Sequence, residues 1–238
     1  MADIETASDD YATRFAGATG QWLLSTQEKG VRKLLQKTVD VRSILDVGGG
    51  HAQLTQLYLE KHHNLTVAWS APTCGSRLEP FMQNGNCTYL PANLLALPFP
   101  DQHFDLVSSF RLLTHCEQWK ELVTQLCRTA RAYVIVDYPA SQSINIIAPK
   151  LFSTKKRFEK NTRDWRSFHH YEVDTAFRQN GFNRIGRYKE FFFPMVLHRM
   201  LQRRYVSQLM ESPARACGLT YWLGSPVIVL YTRHTEGH

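Results

Sequence analysis

The feature that most constrains this chain is a short apolar segment that leads directly into a cluster of glycines. Residues 44–52 read Ile-Leu-Asp-Val-Gly-Gly-Gly-His-Ala. The apolar side chains fit a strand that is covered on both faces of a sheet, and the glycines allow a sharp turn close to a ligand. Residues 53–61 follow with Leu54, Leu57 and Tyr58 at helical spacing. Strand, glycine turn and helix form the first unit of a ligand-binding α/β fold.

The spacing of the glycines argues against two common nucleotide sites. A dinucleotide-binding fingerprint needs glycine at its first, third and sixth positions, but Gly48 and Gly50 are followed by Gln53 at the sixth. A phosphate-binding P-loop also fails, because no Gly-Lys-Ser or Gly-Lys-Thr follows the turn. A dehydrogenase is therefore a distant alternative, and an ordinary strand-to-helix turn without a ligand stays open.

The composition indicates one globular domain. The chain has 238 residues, of which 43% are hydrophobic and 21% are charged, a balance that can bury a real core. No apolar run approaches the ~20 residues of a membrane-spanning helix, and residues 1–10 are too acidic and polar for a signal peptide. We expect a cytoplasmic protein without a metal site, with its five scattered cysteines as reduced thiols.

The basic surplus is concentrated in one segment. Residues 150–204 contain 14 Lys or Arg but only five Asp or Glu, although the net charge of the whole chain is +7. Such a concentration indicates a face that attracts anions, such as an acidic substrate, a phosphorylated lipid headgroup or nucleic acid. A solvated face that keeps the protein in solution is the alternative.

Apolar segments alternate with helical patterns along the chain. The expected strands are 44–47, 65–69, 88–90, 104–109, 133–137, 185–193 and 227–232. The expected helices include 53–61, 76–83, 119–129, 173–180 and one continuous helix from Met195 to Met210. In that last helix Leu197, Leu201, Tyr205 and Leu209 form one apolar stripe opposite three arginines. The alternation predicts βαβ units and hence a doubly wound α/β sheet.

The residues around the glycine turn carry a resemblance to a known family. An acidic residue stands two positions before the first glycine, and Ala52 occupies the place of a third alternate glycine. This arrangement resembles motif I of the class I S-adenosylmethionine-dependent methyltransferases. The resemblance implies S-adenosylmethionine as cofactor and S-adenosylhomocysteine as product, with Asp46, Gly48, Gly49 and Gly50 at the methionine part. It also implies a Rossmann-like sheet of seven strands, mostly parallel, with an antiparallel last strand beside the sixth.

The same resemblance implies a single methyltransferase domain over residues 1–238. Residues 1–39 would form an N-terminal helical lid, and residues 40–139 would form the cofactor-binding core. Residues 140–170 and 195–215 would be insertions that cover the substrate.

A proline-rich segment extends the resemblance. Residues 93–105 read Asn-Leu-Leu-Ala-Leu-Pro-Phe-Pro-Asp-Gln-His-Phe-Asp, which is similar to the family segment around the adenine. The match implies that Asn93 bonds the exocyclic amine of adenine and that Leu94 packs on the ring. The alternative is a proline-rich turn with an Asx-type bond from Asn93.

The ribose position departs from the family pattern. Members of the family carry Asp or Glu at the end of the second strand, whereas this chain has Ser70, followed by Ala71. A serine can still bond one ribose hydroxyl, but it lacks the bidentate reach of a carboxylate. We therefore expect a weaker ribose contact at Ser70 and Ala71.

The segment after the fourth strand reads Ser-Phe-Arg-Leu-Leu-Thr-His from residue 109. By resemblance it lines the space between cofactor and substrate, with Phe110 and Arg111 as cofactor contacts and His115 as the catalytic base. Histidine suits a base that deprotonates a hydroxyl acceptor near neutral pH, and a purely structural histidine is the alternative. The substrate-binding candidates, placed by the same resemblance, are Tyr11, Arg14, His169 and Tyr171.

These features predict an enzyme that transfers a methyl group from S-adenosylmethionine to a small-molecule or lipid-like acceptor, with an anionic acceptor as one option. Basic, amphipathic elements would allow peripheral contact with an anionic membrane, on its inner face. An RNA methyltransferase is an alternative, but nucleic acid is the weaker option because no Asn-Pro-Pro-Tyr-like tetrapeptide follows the fourth strand. A non-catalytic binding protein with the methyltransferase fold also stays open, because Ser70 stands in the ribose position.

Overall fold

The computed structural model describes residues 15–49, 52–60, 64–70, 78–82, 85–143 and 166–234. The strands of these ranges are β1 Ser43–Val47, β2 Asn64–Trp69, β3 Cys87–Pro91, β4 Phe104–Ser109, β5 Ala130–Tyr138, β6 Phe182–Phe191 and β7 Ser225–Arg233. The α-helices are α1 Gly17–Leu35, α2 Thr55–Leu59, α3 Glu79–Met82, α4 Trp119–Thr129, α5 His170–Gln179, α6 Met195–Leu201, α7 Arg204–Ala216 and α8 Leu219–Leu223. None of these helices combines the length and apolar character that crossing a bilayer requires.

The strands form one sheet in the order β3-β2-β1-β4-β5-β7-β6. Neighbouring strands from β1 to β5 pair in parallel, whereas β7 pairs antiparallel with both β5 and β6. Val227 of β7, for example, stands opposite Tyr138 of β5 and Lys189 of β6. The predicted sheet, doubly wound and mostly parallel with an antiparallel last strand beside the sixth, is confirmed. In such sheets ligands bind along the carboxyl edge of the parallel strands.

Two apolar layers hold the sheet between helices. On one face, Ile44 and Leu106 belong to a core that includes side chains of α1 and α2. On the other face, Leu45 and Val107 belong to a core that includes side chains of α4 and α5. Full burial of one aliphatic side chain contributes about 1.5–3 kcal/mol. The continuous apolar runs of the sequence follow from this burial on both faces.

The continuous helix predicted from Met195 to Met210 is wrong. Helix α6 ends at Leu201, and the chain turns at Gln202, whose φ of 49° lies in the left-handed region. It then starts α7 at Arg204. The apolar spacing continues through the break, so the pattern alone could not locate it.

The apolar stripe predicted for this segment is also not buried along α7. Tyr205 is 85% exposed and Leu209 is 74% exposed. The inward face of α7 carries Ser207 and Glu211 instead. The Glu211 carboxylate accepts backbone N–H groups at the end of β6, and these bonds turn the polar side of the helix inward.

Candidate active site

Three buried polar side chains lie along the carboxyl edge of the sheet, on the face that α1 and α2 cover. Asp46 of β1 and Ser108 of β4 are register partners. Asp137 of β5 lies two residues beyond Ile135, the register partner of Ser108, and therefore points to the same face. This row of side chains stands at the edge where a ligand of the sheet would bind.

The glycine turn after β1 closes on the carboxylate of Asp46. Gly48 has a φ of 81° and donates its N–H to the carbonyl of Ala68 at 2.7 Å. A Cβ on Gly49 would collide with Asp46 Oδ2, so no larger residue fits without displacing this carboxylate. Gly50, the other predicted glycine, lies outside the described residues. Glycine at these two positions lets the turn pack directly against Leu112 and Asp46.

A chain of hydroxyl groups holds Asp46 in place. Ser108 Oγ donates to Asp46 Oδ1 at 2.9 Å, and the hydroxyl of Tyr58 lies 2.7 Å from Ser108 Oγ. Because Ser108 has one hydroxyl hydrogen and gives it to Asp46, Tyr58 is the donor to Ser108. Burial raises the pKa of Asp46 to about 7, and the bond from Ser108 opposes the rise. Sequence reasoning missed Tyr58 and Ser108, which belong to an ordinary helix and strand pattern.

The predicted ribose and adenine contacts follow β2 and β3. Ser70 comes directly after β2 and is partly exposed, and Ala71 lies outside the described residues. Asn93 Oδ1 accepts the N–H of Leu95 at 3.1 Å, which is the Asx-type bond expected as the alternative to adenine recognition. An amide oxygen has a second lone pair, so this bond leaves room for a ligand. Leu94 is buried in the core.

Arg111 joins the loop after β4 to the end of β5. Its φ of 60° is uncommon for a residue with a side chain, and its N–H donates to Asp137 Oδ1 at 2.5 Å. Its guanidinium donates to Gln27 Oε1 at 3.2 Å and lies 3.8 Å from the ring centroid of Phe15. Burial raises the pKa of Asp137 to about 6, and the bond from Arg111 opposes the rise. The neighbouring Phe110, also a predicted contact, packs against the core under α1.

Glu190, near the end of β6, is a further buried carboxyl on this side of the sheet. It follows Tyr188 by two residues, and Tyr188 shares a row with Ile228 and Asp137. Burial and the charge of Asp137 raise the pKa of Glu190 to about 8, and Arg111 opposes the rise. Within the part of the chain that the structure describes, Glu190 Oε1 has no hydrogen-bond partner. The sequence analysis did not single out Asp137 or Glu190, because each of these residues only interrupts or ends an apolar strand.

His115 ends a 3-10 turn, Leu113–His115, that follows β4. Next to it, Thr114 donates its hydroxyl to the carbonyl of Arg166 at 2.7 Å. Phe168 forms a parallel bridge with Ala140, just beyond β5. These bonds hold the segment before α5 beside the loop that carries the predicted base.

The predicted substrate contacts at the start of α5 are exposed. The N–H of His169 donates to Glu172 Oε2 at 2.9 Å, which caps the helix. The rings of His169 and Tyr171 lie 5.8 Å apart, and Tyr171 is 66% exposed. The other two candidates, Tyr11 and Arg14, lie outside the described residues.

His170 lies between these two residues in the sequence and, unlike them, contacts the edge of the sheet. Its Nδ1 lies 3.0 Å from the hydroxyl of Tyr138 at the end of β5. Burial, followed by the charge of Arg187, lowers the pKa of His170 to about 4, so its imidazole is neutral at pH 7. The sequence could not separate His170 from His169, because the direction of adjacent side chains at a helix start depends on where the helix begins.

Comparison with known proteins agrees with this fold. Residues 45–133 match the family model described as a methyltransferase domain. No curated protein matches the chain in sequence. Magnesium protoporphyrin IX methyltransferase from Synechocystis PCC 6803, solved with bound S-adenosylhomocysteine, has a TM-score of 0.67 at 11% identity, over 97% of this chain and 95% of that one.

Two further solved structures share the fold. An S-adenosylmethionine-dependent methyltransferase from Thermotoga maritima has a TM-score of 0.64 at 14% identity, over 95% of this chain and 96% of that one. The 4+2 cyclase SpnF has a TM-score of 0.58 at 13% identity, over 87% of this chain and 80% of that one.

The family match and the similar solved structures agree on the fold of a methyltransferase domain. Residues 45–133 thus match a methyltransferase domain, and solved methyltransferases share the fold over nearly the whole chain. The turn fits S-adenosylmethionine, because Gly48 and Gly49 pack directly against Leu112 and Asp46 and place no side chain of their own in the turn.

Proposed function

We propose that the chain transfers the methyl group of S-adenosylmethionine to a small-molecule or lipid-like acceptor. The observation that carries the proposal is the closure of the glycine turn on Asp46, at the sheet edge that also carries Arg111 and Asp137. The cofactor supplies a methyl group on a sulfonium sulfur, which is electrophilic without help from the protein. The protein must therefore align the acceptor and, where the acceptor is a hydroxyl, take its proton.

The cofactor contacts of the proposal extend along the carboxyl edge. The bare backbone of Gly48, Gly49 and Gly50 would pass under the methionine part, with Asp46 fixing the turn. Support comes from the hydroxyl chain of Tyr58 and Ser108, which holds this carboxylate. Ser70 and Ala71 would contact the ribose, and Asn93 and Leu94 would contact the adenine. Phe110 and Arg111 would contact the methionine end of the cofactor.

The acceptor would lie between residues 110–115 and residues 166–171. The bond from Thr114 to Arg166 supports this position, because it holds the two segments together. His115 would take the proton of the acceptor. The proposed acceptor contacts are Tyr11, Arg14, His169 and Tyr171. The basic surplus of residues 150–204 favours an anionic group on the acceptor.

A small or lipid-like acceptor suits the described basic residues better than RNA does. Arg184 and Arg187 share the single carboxylate of Asp174, which compensates part of their charge. An RNA-binding face needs several cations that can neutralise backbone phosphates. We propose a cytoplasmic enzyme that contacts the inner face of a membrane peripherally.

Transfer of a labelled methyl group tests the proposal. The protein is incubated with methyl-labelled S-adenosylmethionine and a cell extract separated into lipid, small-molecule and RNA fractions. We expect label in the lipid or the small-molecule fraction, and less label with His115→Ala. Because the same fold occurs in a cyclase, methyl transfer itself must be measured. Label confined to RNA, or no transfer to any fraction, would contradict the proposal.

A further inference from the structure

The segment between β6 and β7 presents large apolar side chains to the outside. The large apolar side chains of α6, α7 and α8 that are at least half exposed are Met200, Tyr205, Leu209, Tyr221 and Trp222. Helices α7 and α8 pack against each other, and the rings of Tyr221 and Trp222 lie edge to face at 5.4 Å. We call this surface the α6–α8 face. Apolar side chains grouped in this way on one segment mark an interaction site.

Helix α7 is fixed with Leu209 facing outward. Glu211 on the opposite side of α7 is buried, and its carboxylate accepts the N–H groups of Phe192 at 3.0 Å and Phe193 at 2.9 Å. Glu211 Oε1 also lies 3.0 Å from Nε2 of the buried His198 of α6. Rotation of α7 to bury Leu209 would leave these groups unpaired, at a cost that burial of one leucine does not offset.

The charge of this segment favours an anionic partner. Residues 195–224 contain four arginines and one acidic residue, Glu211, which is buried. Arg203 and Arg204 are exposed and come directly before Tyr205. Apolar and aromatic side chains flanked by arginines, without an exposed carboxylate, suit a bilayer with anionic headgroups. Arginine also extends its charge toward phosphate while its stem stays on the apolar side.

We propose that the α6–α8 face docks the enzyme on an anionic lipid bilayer. Tyr205, Leu209 and Trp222 enter the boundary between headgroups and acyl chains, and Arg203 and Arg204 contact lipid phosphates. This docking extends the proposed function, because a lipid-like acceptor would be reached from the bilayer. Docking itself requires no turnover, so it can be tested without knowledge of the acceptor.

Co-sedimentation with vesicles tests the docking. Full-length protein is mixed with vesicles of phosphatidylcholine alone and of phosphatidylcholine with phosphatidylglycerol. We expect binding to the anionic vesicles only, and weaker binding as salt is raised. Arg203→Gln with Arg204→Gln should lower the binding by on the order of tenfold or more, since each basic residue near an anionic surface contributes about fivefold. Leu209→Ser with Tyr205→Ser should also lower it.

Matched variants on another surface serve as controls. Lys29→Gln with Lys33→Gln removes two exposed charges of α1, and Val39→Ser removes an exposed apolar side chain. These variants should bind the anionic vesicles like the wild type. Equal binding to neutral vesicles, or full binding by the variants at residues 203, 204, 205 and 209, would overturn the docking. A dimer in solution that the Leu209→Ser and Tyr205→Ser changes dissociate would overturn it too, because a second copy would then cover the face.

Discussion

The backbone N–H of Arg111 donates to Asp137 Oδ1 at 2.5 Å, although Arg111 has a φ of 60°. The bond joins the loop after β4 to the end of β5 and stabilises an otherwise unfavourable backbone conformation. From this position the guanidinium reaches Gln27 and the ring of Phe15. The loop after β4 is thereby tied both to the sheet and to α1.

Replacement of Asp137 tests this connection. Asp137→Ala leaves the N–H of Arg111 without its acceptor and should lower the free energy of unfolding by about 1–3 kcal/mol. Binding of S-adenosylmethionine should weaken as well, because the loop loses its anchor. Asp137→Asn keeps an oxygen acceptor and should be clearly milder in both respects. Thermal unfolding and calorimetry measure the two effects, and equal losses in both variants would contradict the role of this bond.

The hydroxyl chain to Asp46 gives a second prediction. Ser108→Ala removes the donor to Asp46 and the acceptor of Tyr58, and should lower the free energy of unfolding by about 1–3 kcal/mol. Tyr58→Phe keeps the bond from Ser108 to Asp46 and should cost only about 0.5–1.5 kcal/mol. Urea unfolding of both variants provides the measurement. A larger loss for Tyr58→Phe would show that the chain does not run through Ser108.

Stability should depend on pH through Glu190. Its pKa in the folded protein, about 8, lies above the ordinary value of 4.5. The contribution of Glu190 is therefore fully present below about pH 4.5 and is lost as the pH rises toward 8. Glu190→Gln should stabilise the protein at pH 8 by about 1–3 kcal/mol, since it removes the need to bury a charge.

The exposed Glu121 of α4 provides the matched control. Chemical unfolding of Glu190→Gln, Glu121→Gln and wild type is compared at low and high pH. Of the two variants, only Glu190→Gln should reduce the pH dependence of stability; part of it remains because the pKa values of Asp46 and Asp137 are raised as well. If Glu121→Gln flattens it equally, or Glu190→Gln leaves it unchanged, the buried position of Glu190 is not its cause.

His170 should stay neutral through the physiological range. Burial lowers its pKa to about 4, from an ordinary value of 6.5. The NMR signals of its imidazole should therefore stay at their neutral positions between about pH 8 and pH 6, with His170→Gln used for assignment. A titration midpoint near the ordinary value would contradict the burial of this ring beside Tyr138.

The sequence predicted the parts of the molecule that depend on local pattern. The apolar run before Gly48 predicted β1, and similar runs predicted every other strand to within three residues. Such runs are required wherever both faces of a strand are covered, so they appear directly in the sequence. The glycine turn was predictable for the same reason, because only glycine avoids the collision with Asp46.

The remaining features depend on contacts between distant residues. Periodicity marked Leu209 as buried, but the bonds from β6 to Glu211 turn α7 the other way. The left-handed conformation of Arg111 depends on Asp137, which lies 26 residues later. The residue pattern within one segment cannot indicate either of these two contacts between distant residues.

The central claim is that the turn at Gly48 and Gly49 holds S-adenosylmethionine, and calorimetric titration tests it most directly. Wild type, Gly49→Ala and Gly85→Ala are titrated with the cofactor after circular dichroism has shown that each is folded. A Cβ at Gly85 meets nothing within 4 Å, although the φ of 74° makes this substitution strained. We predict that Gly85→Ala binds like wild type and that Gly49→Ala loses affinity by about tenfold or more, or about 1.4 kcal/mol. No binding by wild type, or unchanged binding by Gly49→Ala, would contradict the claim.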